Sequence, residues 1–319
     1  MTVAIVGAGA IGGLIGARLA RAGQDVLLIA RGANLEAIAS KGLTLRENGE
    51  AHTVRTRASA DMGDVRGAEV VFITLKAHGI PAVAPALGKA LRAGAVVVGA
   101  MNGVPWWYFR DRHLESVDPA GVIARSIPSE SVVGSVVYPA ATLVAPGVVE
   151  HEEGDRISVG EPDGGRTERV QRISAMLTEA GFKAPVQSRL RSEIWLKLVG
   201  NATLNPLSAV TRATMGELFA EERSRELIRS LMEEVARVAR AYDVELPLSI
   251  DKRMQGAAAI AGHKTSMLHD LEAKKPLETD ALLGAVVELA AAKDVAVPAL
   301  RALYAMTKLA EDVALARQG

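Results

Sequence analysis

The feature that most constrains this chain is a glycine-spaced turn, GAGAIG at residues 7–12, which lies between an apolar strand and a helix. Val3–Val6 predicts a buried β-strand, a helical pattern continues from the turn to Arg21, and Asp25–Ile29 predicts a second strand. This strand–helix–strand order indicates a βαβ unit with two parallel strands. A G-x-G-x-x-G turn in that setting is typical of Rossmann-type domains that bind dinucleotides.

Each glycine of the turn has a physical role in such a site. The first allows a tight turn, the second lets a pyrophosphate approach the backbone, and the third lets the helix pack closely on the strand. The N-terminus of the helix supplies N–H groups for the phosphates. The alternative is a glycine-rich turn that serves packing alone. The predicted cofactor-binding loop consists of Gly7, Ala8, Gly9, Ala10, Ile11 and Gly12.

The residue after the second strand bears on which dinucleotide is bound. An NAD site is expected to carry Asp or Glu there, to hold the ribose 2′-hydroxyl. No carboxylate occurs before Glu36, whereas Arg31 offers a planar cation suited to a 2′-phosphate. The residues therefore favour NADP(H), the alternative being that Arg31 is a solvated loop residue.

The remaining pattern predicts two domains of different character. Val70–Thr74 and Ala95–Ala100 predict further buried strands, and Gly42–Arg57 predicts a hairpin around Asn48-Gly49. Further strands are predicted at Ser131–Tyr138, Val148–His151 and Arg156–Val159, with a helix at Arg166–Ala180. Beyond about Ser188 only helices are predicted, at Glu193–Leu204, Glu222–Tyr242, Pro247–Ala261, Leu277–Lys293 and Pro298–Ala316. We predict an α/β Rossmann-type domain at residues 1–187 and an all-α domain at residues 188–319.

Composition limits the classes of function. The chain has 319 residues, which favours two domains, and its 37 basic residues balance 37 acidic ones. That balance argues against nucleic acid as a partner, and no basic segment precedes the apolar N-terminus, so we expect no membrane association and a cytoplasmic protein. There is no cysteine, and the histidines show no metal-ligand spacing, so we predict no metal. The apolar helical domain is compatible with a homodimer.

A stripe of polar residues interrupts the apolar segment IWLKLVGNATLNP at residues 194–206. Lys197, Asn201 and Asn205 recur every fourth residue, and residues four apart are neighbours on a helix surface. A solvated face would carry more charges and fewer amides, so the stripe predicts a binding or catalytic site. The alternatives are a lysine that extends to solvent and an Asn205 that caps a helix break before Pro206.

Several blocks of the chain resemble the ketopantoate reductase (2-dehydropantoate 2-reductase) family, and the resemblance covers nearly its whole length. They are GAGAIG, TLKA at 74–77, NG at 102–103, WLKLVGNATLNPLSA from 195, GEL at 216–218 and SMLHDLEAKKPLETD at 266–280. The resemblance implies a Rossmann-type domain, a helical domain and an active site in the cleft between them. It also implies reduction of a 2-keto acid by NADPH, with ketopantoate as the leading candidate.

The resemblance further implies the role of individual residues. Lys197 would protonate the developing alkoxide, and Glu278 would lie close to both that lysine and the bound cofactor and substrate. Asn201, Asn205 and Ser266 would bind the substrate, Ser266 at its carboxylate, whereas Lys76 and Asn102 would contact the cofactor. Two alternatives are structural: Ser266 as the N-cap of a helix beginning at Met267, and Glu278 as a first-turn acid stabilised by the helix dipole.

The chain departs from the family pattern near the expected substrate. Met101 stands where the family commonly has Gln, and Met215 replaces an Asn often seen before the Gly-Glu-Leu block. Trp106, Trp107 and Tyr108 either pack beneath the cleft or reshape the substrate pocket. The open alternatives are therefore a related hydroxyacid or opine-type dehydrogenase with another keto substrate, and a non-catalytic protein that senses NADP(H).

Overall fold

The structure is a computed structural model that describes residues 1–259 and 262–316. The chain forms two compact units, the first comprising Met1–Met101, Pro105–His113 and Asp118–Leu190. The second comprises Asn102–Val104, Leu114–Val117 and the chain from Arg191 onward. Two short segments within the first 187 residues thus belong to the helical unit, which the predicted division did not include.

Hydrogen bonds explain why these two segments join the helical unit. The backbone N–H of Val104 donates to the Ala281 carbonyl over 3.3 Å. The backbone N–H and the hydroxyl of Ser116 donate to Glu288 Oε2 over 2.9 and 2.6 Å. The division into functional domains at residue 187 remains a prediction, and these contacts show that a single cut does not separate the compact units.

The first unit is built on a seven-stranded sheet. Its strands in chain order are β1 (Thr2–Val6), β2 (Asp25–Ile29), β5 (Arg57–Ser59), β6 (Val70–Ile73), β7 (Val96–Gly99), β8 (Val132–Val137) and β11 (Ile157–Gly160). The spatial order is β11-β8-β7-β6-β1-β2-β5, and every neighbouring pair is parallel except β11 with β8. The chain moves to opposite sides of β1 when it forms β2 and β6, so the carboxyl end of β1 is a topological switch point.

Helices and a second, smaller sheet complete this unit. The helices are α1 (Ala10–Arg21), α2 (Gly32–Lys41), α3 (Ile80–Ala90), α4 (Val122–Ser126) and α5 (Glu168–Glu179). The small sheet has the order β4-β3-β10-β9, from β3 (Leu43–Glu47), β4 (Glu50–Val54), β9 (Ala140–Ala145) and β10 (Val148–Glu153). The predicted hairpin around Asn48-Gly49 is confirmed as β3–β4.

From residue 191 onward, the regular secondary structure of the described residues is helical. Helix α6 (Leu190–Thr211) begins at the division between the units. It is followed by α7 (Met215–Ala220), α8 (Glu222–Ala241), α9 (Ile250–Ala258), α10 (Ser266–Glu272), α11 (Ala285–Ala291) and α12 (Pro298–Ala316). Residues 260 and 261 of the helix predicted at 247–261 lie outside the described residues, as do residues 317–319. The predicted class, a Rossmann-type α/β region followed by a helical region, is confirmed.

Within the described residues, no helix combines the length and the apolar character needed to cross a membrane.

Candidate active site

The glycine-spaced loop lies at the carboxyl end of β1. Gly7 has φ +104°, a conformation that L side chains rarely adopt, and the N–H groups of Gly7 and Ala8 donate to the Ile29 carbonyl over 3.1 and 3.2 Å. A Cβ at Gly12 would overlap the Gly7 carbonyl and Thr74 Oγ1. That hydroxyl in turn donates to the Gly7 carbonyl over 2.7 Å. Packing within the protein therefore accounts for Gly7 and Gly12.

Gly9 has no such explanation. A Cβ added there would have no heavy atom within 4 Å, so the protein itself does not require a glycine at this position. Gly9 is the N-cap of α1, which begins at Ala10 and has no side-chain cap, so the first N–H groups of the helix lack a partner within it. A glycine that leaves open space next to free N–H groups is suited to the close approach of an anionic ligand.

Arg31 follows β2 and immediately precedes α2. Its backbone is extended and its side chain is exposed, with no hydrogen-bond partner among the described residues. Asn34, in the first turn of α2, donates from Nδ2 to the Ala8 carbonyl over 2.6 Å and accepts the Gly147 N–H at Oδ1 over 2.7 Å. Sequence reasoning missed Asn34, because an asparagine early in a helix carries no motif.

Lys76 follows β6, the strand that pairs with β1 on the side opposite β2. It is half-buried and directly precedes a short 3₁₀ turn at Ala77–Gly79. Parallel strands end at the same edge of a sheet, so Lys76 and the glycine-spaced loop lie at the same edge.

In the second unit, Lys197, Asn102 and Glu278 form a hydrogen-bonded chain. Lys197 on α6 donates from Nζ to Asn102 Oδ1 over 2.8 Å. Asn102 donates from Nδ2 to Glu278 Oε2 over 3.4 Å. The two hydrogen bonds fix the Asn102 amide orientation, with its oxygen toward the ammonium and its nitrogen toward the carboxylate.

Burial lowers the pKa of Lys197 to about 8, because it removes water from around the charged form. The Glu278 carboxylate acts in the opposite direction and raises the lysine pKa, whereas the Arg253 guanidinium lowers it further. A group that titrates near neutral pH can both donate a proton and recover one, as general acid catalysis requires.

Glu278 is held at the start of a helical turn by a carboxylate from α12. The N–H of Leu277 donates to Glu311 Oε1 over 2.8 Å, and the Thr279 hydroxyl donates to Glu311 Oε2 over 3.4 Å. Glu311 is buried, so its negative charge is offset by these donors and by Lys308 at 3.5 Å. These hydrogen bonds fix the residues on both sides of Glu278. Sequence reasoning did not predict this role of Glu311.

A π-helical turn at Asp280–Gly284 follows Glu278 and widens the start of α11. The Ala281 carbonyl in this turn accepts the Val104 N–H, and a Cβ at Gly103 would lie 2.8 Å from the Ala281 carbonyl carbon. Gly103 therefore permits the close approach that places Asn102 beside Glu278. π-helical turns of this kind occur frequently at functional sites.

Helix α6 continues through Pro206 to Thr211, so the alternative in which Asn205 caps a helix break is wrong. Among the described residues neither Asn201 nor Asn205 has a hydrogen-bond partner, although Asn205 is only 9% exposed. Buried amides are nearly always hydrogen-bonded in folded proteins. Two unpaired amides on the face that carries Lys197 are therefore suited to a polar ligand.

Ser266 is the first residue of α10, but it is not the N-cap. That position belongs to Thr265, whose Oγ1 accepts the Leu268 N–H over 3.2 Å, so the N-cap alternative for Ser266 is wrong. The Ser266 side chain is exposed, and no hydrogen bond within the described residues joins it to Lys197, Asn102 or Glu278.

The tryptophans after Asn102 pack on the main sheet of the first unit. A Cβ at Gly99 would lie 3.0 Å from Trp106 Cη2, and one at Gly134 would lie 2.6 Å from Trp107 Cη2. Both indoles are buried, and neither indole N–H has a hydrogen-bond partner among the described residues. The substituted positions Met101 and Met215 are buried as well.

Comparisons with known proteins agree with this organisation. The two sequence models of ketopantoate reductase (PanE/ApbA) match residues 3–164 and, for the C-terminal part, 189–311. The 2-dehydropantoate 2-reductase of Mesorhizobium japonicum is 42% identical over 316 residues, 97% of both chains. The crystal structure of a PanE/ApbA family ketopantoate reductase from Ralstonia eutropha JMP134 matches with a TM-score of 0.87 and 33% identity, covering 98% of this chain and 99% of that one.

A third match shows a shared fold alone. D-mandelate dehydrogenase, solved in a ternary complex with NADH and anilino(oxo)acetate, has a TM-score of 0.87 at 21% identity, covering 98% of this chain and 99% of that one.

The fold and these relatives define an oxidoreductase that reduces a keto acid. The chain belongs to the ketopantoate reductase family, as the resemblance in its sequence predicted.

Proposed function

We propose that the protein reduces a 2-keto acid to a 2-hydroxy acid with NADPH, and that the substrate is 2-dehydropantoate, giving pantoate. The observation that carries the proposal is the chain of hydrogen bonds from Lys197 through Asn102 to Glu278. The ammonium of Lys197, with a pKa of about 8, lies on the same face of α6 as the amides of Asn201 and Asn205. Neither amide has a hydrogen-bond partner within the described residues.

The chemistry of these side chains fits the reduction of a carbonyl group. When bound, the nicotinamide supplies a hydride to the carbonyl carbon, and the oxygen gains negative charge. Lys197 donates a proton from Nζ to that oxygen, and its low pKa makes the transfer favourable at neutral pH. Asn102 holds Nζ in position, and the Glu278 carboxylate favours renewed protonation of the lysine.

The amides of Asn201 and Asn205 and the hydroxyl of Ser266 are assigned to substrate binding. Neutral amides donate hydrogen bonds to a keto acid without adding a charge that would repel it. The cofactor is assigned to the loop at residues 7–12, with Arg31 at the 2′-phosphate and Lys76, Asn102 and Glu278 as further contacts. The open space at Gly9 and the exposed guanidinium of Arg31 support this assignment.

Substrate choice is the finer part of the proposal, because one fold serves many substrates. The 42% identity to a 2-dehydropantoate 2-reductase supports ketopantoate over another keto acid. The retained proton donor argues against a protein that only senses NADP(H), because a sensor needs no acid.

A cofactor absorbance assay at 340 nm tests the proposal. Ketopantoate should be reduced with a higher kcat/KM than pyruvate, 2-ketoisovalerate or phenylglyoxylate, and addition of amino acids should give no opine product. A higher kcat/KM for another keto acid would contradict the substrate assignment, and a requirement for an amino acid would indicate an opine-type reaction. NADPH binding without turnover of any keto acid would favour the sensor.

A homodimer through the helical domain also belongs to the proposal. Met306, Leu309 and Val313 are exposed on α12, and Leu309 is 64% exposed. Their spacing places them on one face, which a second copy of the chain would cover. Sedimentation velocity should show a dimer that Leu309→Lys weakens. A wild-type monomer, or a dimer that this substitution does not affect, would contradict the assignment.

A further inference from the structure

Arg253 lies against α6 between two members of the polar stripe. A Cβ at Gly200 would lie 2.8 Å from the guanidinium carbon of Arg253 and 3.2 Å from its Nε, well inside van der Waals contact. Gly200 comes three residues after Lys197 and directly before Asn201. The guanidinium thus occupies the volume that a side chain at position 200 would fill.

This position brings two cations together in one part of the helical unit. The Arg253 guanidinium lowers the pKa of Lys197, so the two cations interact electrostatically. Two neighbouring cations repel each other, and the arrangement becomes favourable when an anion lies between them. Glu278 raises the pKa of Lys197, and its carboxylate accepts a hydrogen bond from Asn102, the residue that also accepts one from Lys197 Nζ.

The substrate class supplies an anion of suitable geometry. In a 2-keto acid the carboxylate carbon is bonded directly to the carbonyl carbon. A substrate whose carbonyl oxygen meets Lys197 therefore has its carboxylate within a few ångströms of the same stretch of α6. A planar guanidinium binds a carboxylate through two parallel hydrogen bonds, with more geometric selectivity than an ammonium or a hydroxyl.

We propose that Arg253 binds the carboxylate of the 2-keto acid and selects acids over uncharged ketones, and that Gly200 is required because it leaves room for the guanidinium. The inference rests on the proposed function. With this contact the substrate carboxylate would have a charged partner in addition to the Ser266 hydroxyl. The inference also explains why a glycine occurs within a long helix, where alanine is intrinsically more favourable.

The test compares ketopantoate with ketopantoyl lactone, an uncharged cyclic ester of the same carbon skeleton. Arg253→Met should raise KM for ketopantoate about 10- to 100-fold, the loss expected for a charged hydrogen bond, and leave KM for the lactone unchanged. Gly200→Ala should act in the same direction, because the added methyl displaces the guanidinium. The double variant should be no worse than Arg253→Met alone.

Arg229→Met is the matched control, since Arg229 is an arginine of the same unit whose exposed guanidinium pairs with Asp251 at 2.6 Å. Arg229→Met should leave KM unchanged for both ketopantoate and the lactone. If Arg253→Met raises KM equally for ketopantoate and the lactone, the inference is overturned, because a purely structural role would affect both substrates. Unchanged kinetics in a folded Arg253→Met protein would overturn it too.

Calorimetric titration with ketopantoate separates this inference from the proposed reaction. Wild-type protein that binds ketopantoate, with affinity lost in Arg253→Met and Gly200→Ala but kept in Arg229→Met, supports the carboxylate contact even if no turnover occurs. Equal affinity in all four proteins overturns the contact while leaving an observed reduction intact. Wild-type protein that neither binds nor reduces ketopantoate overturns both.

Discussion

The Nζ atom of Lys197 lies 2.8 Å from Oδ1 of Asn102, a residue 95 positions earlier in the chain. The contact joins a segment that directly follows the main sheet to the helix that carries the polar stripe. It also explains why Asn102–Val104 belongs to the helical unit. The orientation of the proposed proton donor thus depends on a residue outside its own helix.

Asn102→Ala tests this relationship. Loss of a hydrogen bond to a charged group costs about 1.5–3 kcal/mol, so kcat should fall roughly 10- to 100-fold. Asn201→Ala is the comparison variant on the same helical face, and it should raise KM for the keto acid with a smaller effect on kcat. Steady-state kinetics at saturating NADPH measures both. An Asn102→Ala enzyme with unchanged kcat would show that Lys197 is oriented by other contacts.

The stability of the protein should depend on pH through Lys197. Its folded-state pKa of about 8 lies below the ordinary value of 10.5, so burial of the charged form costs stability below pH 8. Between these values the unfolded chain binds the proton and the folded chain does not, so stability rises with pH. Between pH 8 and 10.5, the free energy of unfolding of wild type should rise by up to about 1.4 kcal/mol per pH unit relative to that of Lys197→Met. Urea denaturation between pH 7 and 10 measures the difference. If the stabilities of wild type and Lys197→Met change with pH in parallel, the lowered pKa is contradicted.

Glu311→Gln should affect activity as well as stability. Its carboxylate accepts hydrogen bonds from both residues that flank Glu278, and an amide replaces one acceptor with a donor. The free energy of unfolding should fall by about 1–3 kcal/mol. In protein that remains folded, kcat should fall while NADPH affinity is retained. The neighbouring Asp312 is exposed, so Asp312→Asn is the control and should match wild type. Loss of stability with full kcat would show that Glu311 does not position Glu278.

Cofactor preference should depend on Arg31. Arg31→Ala removes a charge-assisted contact to the 2′-phosphate and should weaken NADPH binding by about 1.5–3 kcal/mol. NADH lacks that phosphate, so its affinity should stay nearly unchanged. Fluorescence titration of both cofactors measures the effect. A wild type that prefers NADH, or an equal loss for both cofactors, would show that Arg31 does not contact the phosphate.

Local patterns in the sequence predicted the elements that carry the site. The glycine spacing predicted the turn after β1, and four-residue spacing predicted that Lys197, Asn201 and Asn205 share a helical face. The strand β9 at Ala140–Ala145 was not predicted, because it is alanine-rich and largely exposed, and alanine is depleted in strands. Pro206 suggested a helix break, yet α6 continues through it, which shows tertiary packing prevailing over local propensity.

Contacts between distant residues account for what the sequence could not predict. Asn34 reaches Ala8, Glu311 reaches Leu277, and Arg253 packs on Gly200. Each pair joins separate elements, and in each pair one partner (Asn34, Glu311 or Arg253) lies outside every motif of the sequence. Periodicity predicts the face of a helix or strand on which a residue lies, but it does not predict which residue of another element contacts it.

The pH dependence of the reductive reaction tests the role of Lys197 most directly. Wild-type kcat/KM for ketopantoate, at saturating NADPH, should fall at alkaline pH with an apparent pKa near 8, as Lys197 loses its proton. Lys197→Ala should lose about 10²–10⁴-fold in kcat, still bind NADPH, and show a residual rate without that alkaline fall. If the alkaline fall persists unchanged in Lys197→Ala, another group supplies the proton and the assignment of Lys197 is wrong.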